Sequence, residues 1–150
     1  MDKQTDATAI LKLYELRRDE KMRQARAWYF TDFAPQSAMD IIKLYRDGEQ
    51  ASASFRTVTS YWDMAASLVL NGAIDEKSFN DANGEHIFVY AKIAPFLEEI
   101  RQLFNEAEYL IHLERLVLKI PNIETKLENR KRLFALWSKE EKEISAGGDG

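Results

Sequence analysis

The sequence predicts an all-α fold, a single helical bundle of about five long helices with one or two short ones and no sheet. Three observations carry that prediction. Glycine and proline are scarce, at six and three, and Gly147, Gly148 and Gly150 lie at the very end of the chain. Too few remain in the body to build a turn-rich β fold. Phe55, Val58, Trp62, Ala65 and Val69 recur at 3, 4, 3, 4 spacing, which is the period of one helix face. Strand-like alternation is confined to His86–Tyr90, and that run continues into a helical stripe through Ile93.

The first helix is expected to begin at Thr5 or Asp6, both good N-caps. Ile10, Leu13, Tyr14 and Leu16 lead into Arg17-Arg18-Asp19-Glu20-Lys21, a run without an apolar face. Met22, Ala25, Tyr29 and Phe33 then restore a stripe, and Pro35 closes the segment. The expectation is one long basic helix over about residues 6–33, solvated in its middle.

A short helix follows from Ser37 to Gly48, with Ala38, Ile41, Ile42 and Tyr45 on its apolar face. Asp47-Gly48 suits a stop with the glycine left-handed. The third helix carries the Phe55–Val69 stripe and ends at Asn71-Gly72. Asp75 then caps a short helix, with Ile74 and Phe79 placed for a hydrophobic staple. A fourth long helix starts after Asn83-Gly84 and runs through Phe104 with a kink expected at Pro95. A fifth carries Tyr109, Leu113, Leu116 and Ile120 up to Pro121. Asn122 is a candidate cap for the last helix, which holds Ile123, Leu127, Phe134 and Trp137. Residues 1–144 read as a single domain and residues 145–150 as a disordered tail.

Composition removes several function classes. A chain of 150 residues is long enough for its own core. The absence of cysteine excludes a disulfide framework, a thiolate metal site and a cysteine nucleophile. Two histidines, His86 and His112, exclude a three-histidine metal site. No phosphate loop, nucleophile elbow, dinucleotide fingerprint or zinc-protease motif is present. No catalytic, cofactor or metal residues are assigned.

The net charge of −4 hides an asymmetry. Residues 1–30 carry seven basic and five acidic groups, whereas residues 61–110 carry three basic and nine acidic groups. The overall balance argues against a general nucleic-acid binder. The longest uncharged stretch, Met64–Ile74, has eleven residues and is too short to span a bilayer. The polar start of the chain has no signal-peptide character, and a cytoplasmic location is expected.

The stretch Tyr61-Trp62-Asp63 through Leu70-Asn71-Gly72-Ala73-Ile74-Asp75 resembles the signature of a bacterial helical family of unknown function. Ala94-Pro95-Phe96-Leu97-Glu98-Glu99-Ile100-Arg101 resembles that family's second recurrent segment. With the basic helix ending in Ala25 and Arg26, the likeness covers roughly residues 10–115. It implies a helical fold and supplies no activity, cofactor or catalytic residue. Relatives of this kind often carry a membrane-spanning helix ahead of the basic helix. Residues 1–16 here are amphipathic instead.

Two residue groups stand out. Asp63 follows Tyr61-Trp62 on the most apolar helix, and an ion pair with Arg101 or Arg56 at the core edge is expected. Arg17, Arg18, Lys21, Arg26, Trp28 and Tyr29 form a candidate interaction surface on the first helix. Glu108 and His112, four apart, read as neighbours on one helix face. The leading functional expectation is a non-enzymatic interaction or regulatory module that self-associates, a homodimer through its N-terminal helix, or binds a protein partner. The alternatives are a peripheral membrane-surface module using the same helix and an enzyme with an unrecognised polar pocket.

Overall fold

The computed structural model describes residues 2–147, and the side chains of residues 2–137. Nine α-helices and no strand are found among the described residues. They are α1 (Lys3–Arg17), α2 (Glu20–Thr31), α3 (Ala38–Asp47), α4 (Glu49–Leu70), α5 (Glu76–Ala82), α6 (Glu85–Ile93), α7 (Leu97–Phe104), α8 (Ile111–Leu118) and α9 (Ile123–Gly147). A 3₁₀ turn over Ala94–Phe96 joins α6 to α7 at Pro95. The fold is all-α, as its composition and periodicity predict.

Helix α4 is the axis of the bundle. Its stripe of Phe55, Val58, Trp62, Ala65 and Val69 is buried along its length. Helices α2, α3, α5, α6 and α8 pack around it, and α9 lies across α6 and α2. The buried face of α4 is broad, because Tyr61 and Ala66 are buried beside the main stripe, while Arg56, Thr57, Ser60 and Met64 on the opposite side are exposed. An apolar helix of this kind is stable only when wrapped by others.

The start of α5 is built as its sequence dictates. The Asp75 carboxylate accepts the Ser78 N–H at 2.9 Å. Ile74 and Phe79 are both buried on either side of that cap, which is the staple arrangement. Gly72 takes φ 87 where the chain leaves α4, a conformation glycine adopts without steric cost.

Four local expectations require correction. The N-terminal segment over 6–33 is not one helix but two, broken at Arg18-Asp19. Asp19 leaves helical geometry and its carboxylate accepts the Met22 N–H at 3.4 Å, capping α2. The break lets Met22, Ala25 and Tyr29 reach α4, while Leu13 of α1 is buried at a different angle. Gly48 is not left-handed; its φ is −97. It is the C-cap of α3 and the N-cap of α4 at once, leaving no room for a left-handed stop. A β-carbon there would stand 3.0 Å from the Leu44 carbonyl oxygen. Asn122 takes φ 58 ahead of α9, not the extended geometry of an N-cap. Helix α9 continues through Ser145–Gly147, and the rest of the expected tail, residues 148–150, lies outside the described residues.

Candidate functional site

The break between α1 and α2 creates the most distinctive charge arrangement in the molecule. On a continuous helix, Arg18 and Arg23 would project about 140° apart at 100° per residue. With the elbow at Asp19, Arg17, Arg18, Arg23 and Arg26 surround one cleft of about 390 Å³, with Tyr14 as a wall.

Two of these arginines are already engaged. Glu85, the first residue of α6, is held by Arg17 and by Arg26. Arg26 reaches it through Nε and Nη2, each at 2.8 Å. Arg17 also donates to Asn83 Oδ1 at 3.3 Å. Its guanidinium lies 5.3 Å from the Trp62 ring and 6.0 Å from the Tyr14 ring. The two-arginine clamp on one carboxylate therefore ties α1 and α2 to the start of α6. Arg18 and Arg23 are exposed and have no carboxylate partner among the described residues.

Beneath the clamp lies His86, fully buried between the rings of Trp62 and Phe79. Its Nε2 faces Asn80 Oδ1 at 3.0 Å. Burial first, and then the positive charge of Arg17, push the imidazole down to about 4, so it is neutral at pH 7. His86 Nδ1, Trp62 Nε1 and Arg17 Nε are buried and have no hydrogen-bond partner among the described residues.

The sequence-predicted surface residues divide. Arg17 and Arg26 belong to the clamp, and Tyr29 is wholly buried, its hydroxyl donating to the Val89 carbonyl at 2.6 Å. Trp28 is half-buried and stacks on Phe33 at 5.1 Å. Only Arg18 and Lys21 stand free at the surface. The expected continuous basic face does not form, because α2 turns its apolar stripe onto α4.

The expected ion pair of Asp63 does not form either. The Asp63 carboxylate accepts the backbone N–H of Leu113, in the first turn of α8, at 3.0 Å. Arg101 pairs instead with Glu114 at 3.1 Å and donates from Nε to the Tyr109 carbonyl at 2.9 Å. Arg56 is exposed, bonds the Ser52 carbonyl at 3.3 Å, and lies over the Tyr45 ring at 5.7 Å. Each guanidinium has a nearer partner, and Asp63 is taken up by a helix end. Glu108 falls in the turn before α8, so it does not share a helix face with His112.

A second cleft of about 560 Å³ opens beside Arg101, between α7 and α8, with Glu98, Gln102, Asn105 and Glu114 on its walls. The Tyr90 hydroxyl donates to Glu114 at 3.3 Å. Burial and then the Glu114 charge raise that phenol to about 12. The carboxylates here match or outnumber the single guanidinium, so this cleft is acidic.

Sequence reasoning missed Lys92. It donates to the Tyr29 carbonyl at 2.6 Å and stands 4.6 Å from the Phe134 ring, with Tyr29 and Phe33 on other sides. Burial lowers its ammonium to about 8. Its position four residues from Phe88, on the helix that packs against α9, was the only sequence signal.

The outer flank of α1 completes the picture. Leu11, Tyr14 and Leu16 are 65%, 54% and 44% exposed. A cleft of about 710 Å³ runs from Lys3 past Ala7, Ile10 and Leu11 to Asp75 and Ser78 at the start of α5. No described helix is long and apolar enough to cross a membrane. No three His, Asp or Glu side chains come together as a metal-ligand set among the described residues.

Comparison with curated proteins and with solved structures returned no match. A family model described as a domain of unknown function, DUF4760, matches residues 4–120. That span runs from the first turn of α1 through the elbow, the Glu85 clamp and the Asp63–α8 junction, and stops before α9. The chain belongs to the DUF4760 family, a helical domain of unknown function.

Proposed function

We propose that the domain is a non-enzymatic interaction module that pairs with a second copy of itself through the outer flank of α1. The observation that carries this reading is the exposed stripe of Leu11 and Tyr14, set between an acidic end and a basic end. Asp2 and Asp75 are exposed at one end, and Arg18 and Arg23 at the other. Exposed apolar side chains arranged in this way favour a protein partner.

The charge order favours a second copy as that partner. An antiparallel pair about a two-fold axis near Leu11 brings the apolar stripes together. The same axis sets the arginine end of each copy against the acidic end of the other. A two-fold interface must be self-complementary in this sense. Helix α2 contributes Arg23 but no apolar contact, since its apolar face is spent on α4.

Sedimentation velocity across the micromolar range tests the reading. A dimer for the wild-type chain and a monomer for Leu11→Ser/Tyr14→Ser are expected. A strictly monomeric wild-type chain contradicts it. Flotation of that monomer with anionic vesicles would favour the membrane-surface alternative.

A further inference from the structure

We infer that the arginine cleft at the α1–α2 elbow is a binding site for a terminal phosphoryl group, as carried by pyrophosphate or a phosphomonoester. Four arginines line a space of about 390 Å³, within the range of small-ligand sites. Among the described residues one carboxylate, Glu85, is paired with them, and it is held by Arg17 and Arg26. Four like charges brought together raise the energy of the fold unless an anion joins them. The elbow itself creates the cluster, because a straight helix would scatter the same side chains.

The chemistry of the walls selects the ligand. Arg18 and Arg23 each offer a planar fork of donors that matches two oxygens of a tetrahedral anion. The Glu85 clamp holds the guanidiniums of Arg17 and Arg26 in fixed orientations, so the floor is organised before a ligand arrives. Tyr14 supplies an aromatic wall beside the charge. Asp19 and Glu20 are exposed nearby, but Asp19 is committed to the first turn of α2 and neither lines the cleft. A dianion meets the two unmatched arginines, which a single carboxylate does not. The acidic cleft at Arg101 has no such excess, since Glu98 and Glu114 face its one guanidinium.

Pairing through α1 and anion binding draw on the same two arginines, because the paired form sets the acidic end of the second copy against Arg18 and Arg23. In the Leu11→Ser background, pyrophosphate binding should persist, so the failure of one reading leaves the other standing. The test is calorimetric titration of the full chain with sodium pyrophosphate, with acetate at the same ionic strength as the control. Alongside it, vesicles of phosphatidate in phosphatidylcholine are compared with phosphatidylglycerol vesicles of matched charge. One-to-one pyrophosphate binding, weakened about tenfold or more in Arg18→Gln/Arg23→Gln, is expected, with acetate silent. Selective binding to phosphatidate vesicles, lost in the same variant, would equally support the site and name a lipid headgroup as the source. Both substituted residues are exposed, and an unchanged circular dichroism spectrum confirms that the variant folds. Binding to neither probe overturns the inference. So does binding that survives the double substitution, or that acetate reproduces.

Discussion

Asp63 and Leu113 are joined across the core: the carboxylate in the middle of α4 accepts the N–H of the third residue of α8 at 3.0 Å. The residue before α8, Leu110, has φ 55 and offers no side-chain cap. Helix starts leave several N–H groups without intrahelical acceptors. Asp63 therefore caps a helix fifty residues away, and its negative charge faces the positive end of that helix dipole.

This assignment separates a cap from an ion pair. Asp63→Ala should lower stability by about 1–2 kcal/mol, the usual loss when a helix cap is removed. Asp63→Asn keeps an acceptor oxygen and should lose less. A double-mutant cycle between Asp63→Ala and Arg101→Gln, followed by urea unfolding, should show coupling below about 0.5 kcal/mol. Coupling above about 1 kcal/mol would restore the ion pair.

Glu85→Gln should be costly. It leaves the guanidiniums of Arg17 and Arg26, 17% and 27% exposed as side chains, without their shared carboxylate. Removal of one partner from a buried pair costs about 3–5 kcal/mol, and partial exposure brings the expectation to about 3 kcal/mol. Denaturant unfolding of the variant measures it.

His86 makes stability depend on acid. Its folded value of about 4 lies below the ordinary 6.5, so between these values the unfolded chain binds more protons. The stability is complete above about pH 6.5 and falls as pH drops toward 4. The full loss is about 3 kcal/mol. His86→Phe should flatten that part of the profile relative to the wild type, as read by thermal unfolding from pH 4 to 7.

The two interhelical glycines should respond differently to a methyl group. Gly48→Ala brings a β-carbon to 3.0 Å of the Leu44 carbonyl oxygen, a backbone atom that cannot swing away. A loss of about 1–2 kcal/mol is expected from such overpacking. Gly84 has nothing within 4 Å of the added carbon and a φ of −125. Gly84→Ala should be neutral or stabilise by about 0.5 kcal/mol through the unfolded chain. Paired melting curves decide both.

Local rules made much of the fold legible. The α4 stripe, the Asp75 cap with its Ile74–Phe79 staple and the interruption at Pro95 all depend on residues within a few positions of one another. The elbow was harder. Asp19 is a good cap, but the apolar stripe resumes at Met22 soon enough to read as continuation, and only packing of α2 on α4 decides for the break. The site was less legible still. Arg17 and Glu85 are 68 positions apart, and nothing local marks them as partners. Asp63 was recognisable as an unusual charge, but its partner is a backbone N–H, which every residue except proline carries. Tyr29 reads both as a member of the Met22–Ala25–Phe33 stripe and as part of the basic surface group, so local sequence leaves its face open. Its burial follows from the turn at Asp19, which rotates α2 inward.

Pairing through α1 is tested most directly by disulfide trapping, which the cysteine-free sequence makes clean. Leu11→Cys, oxidised at micromolar concentration, should yield a disulfide-linked dimer, while Glu98→Cys, also exposed but on α7, should remain monomeric. Equal trapping at both positions, or none at Leu11, would contradict an α1-to-α1 interface.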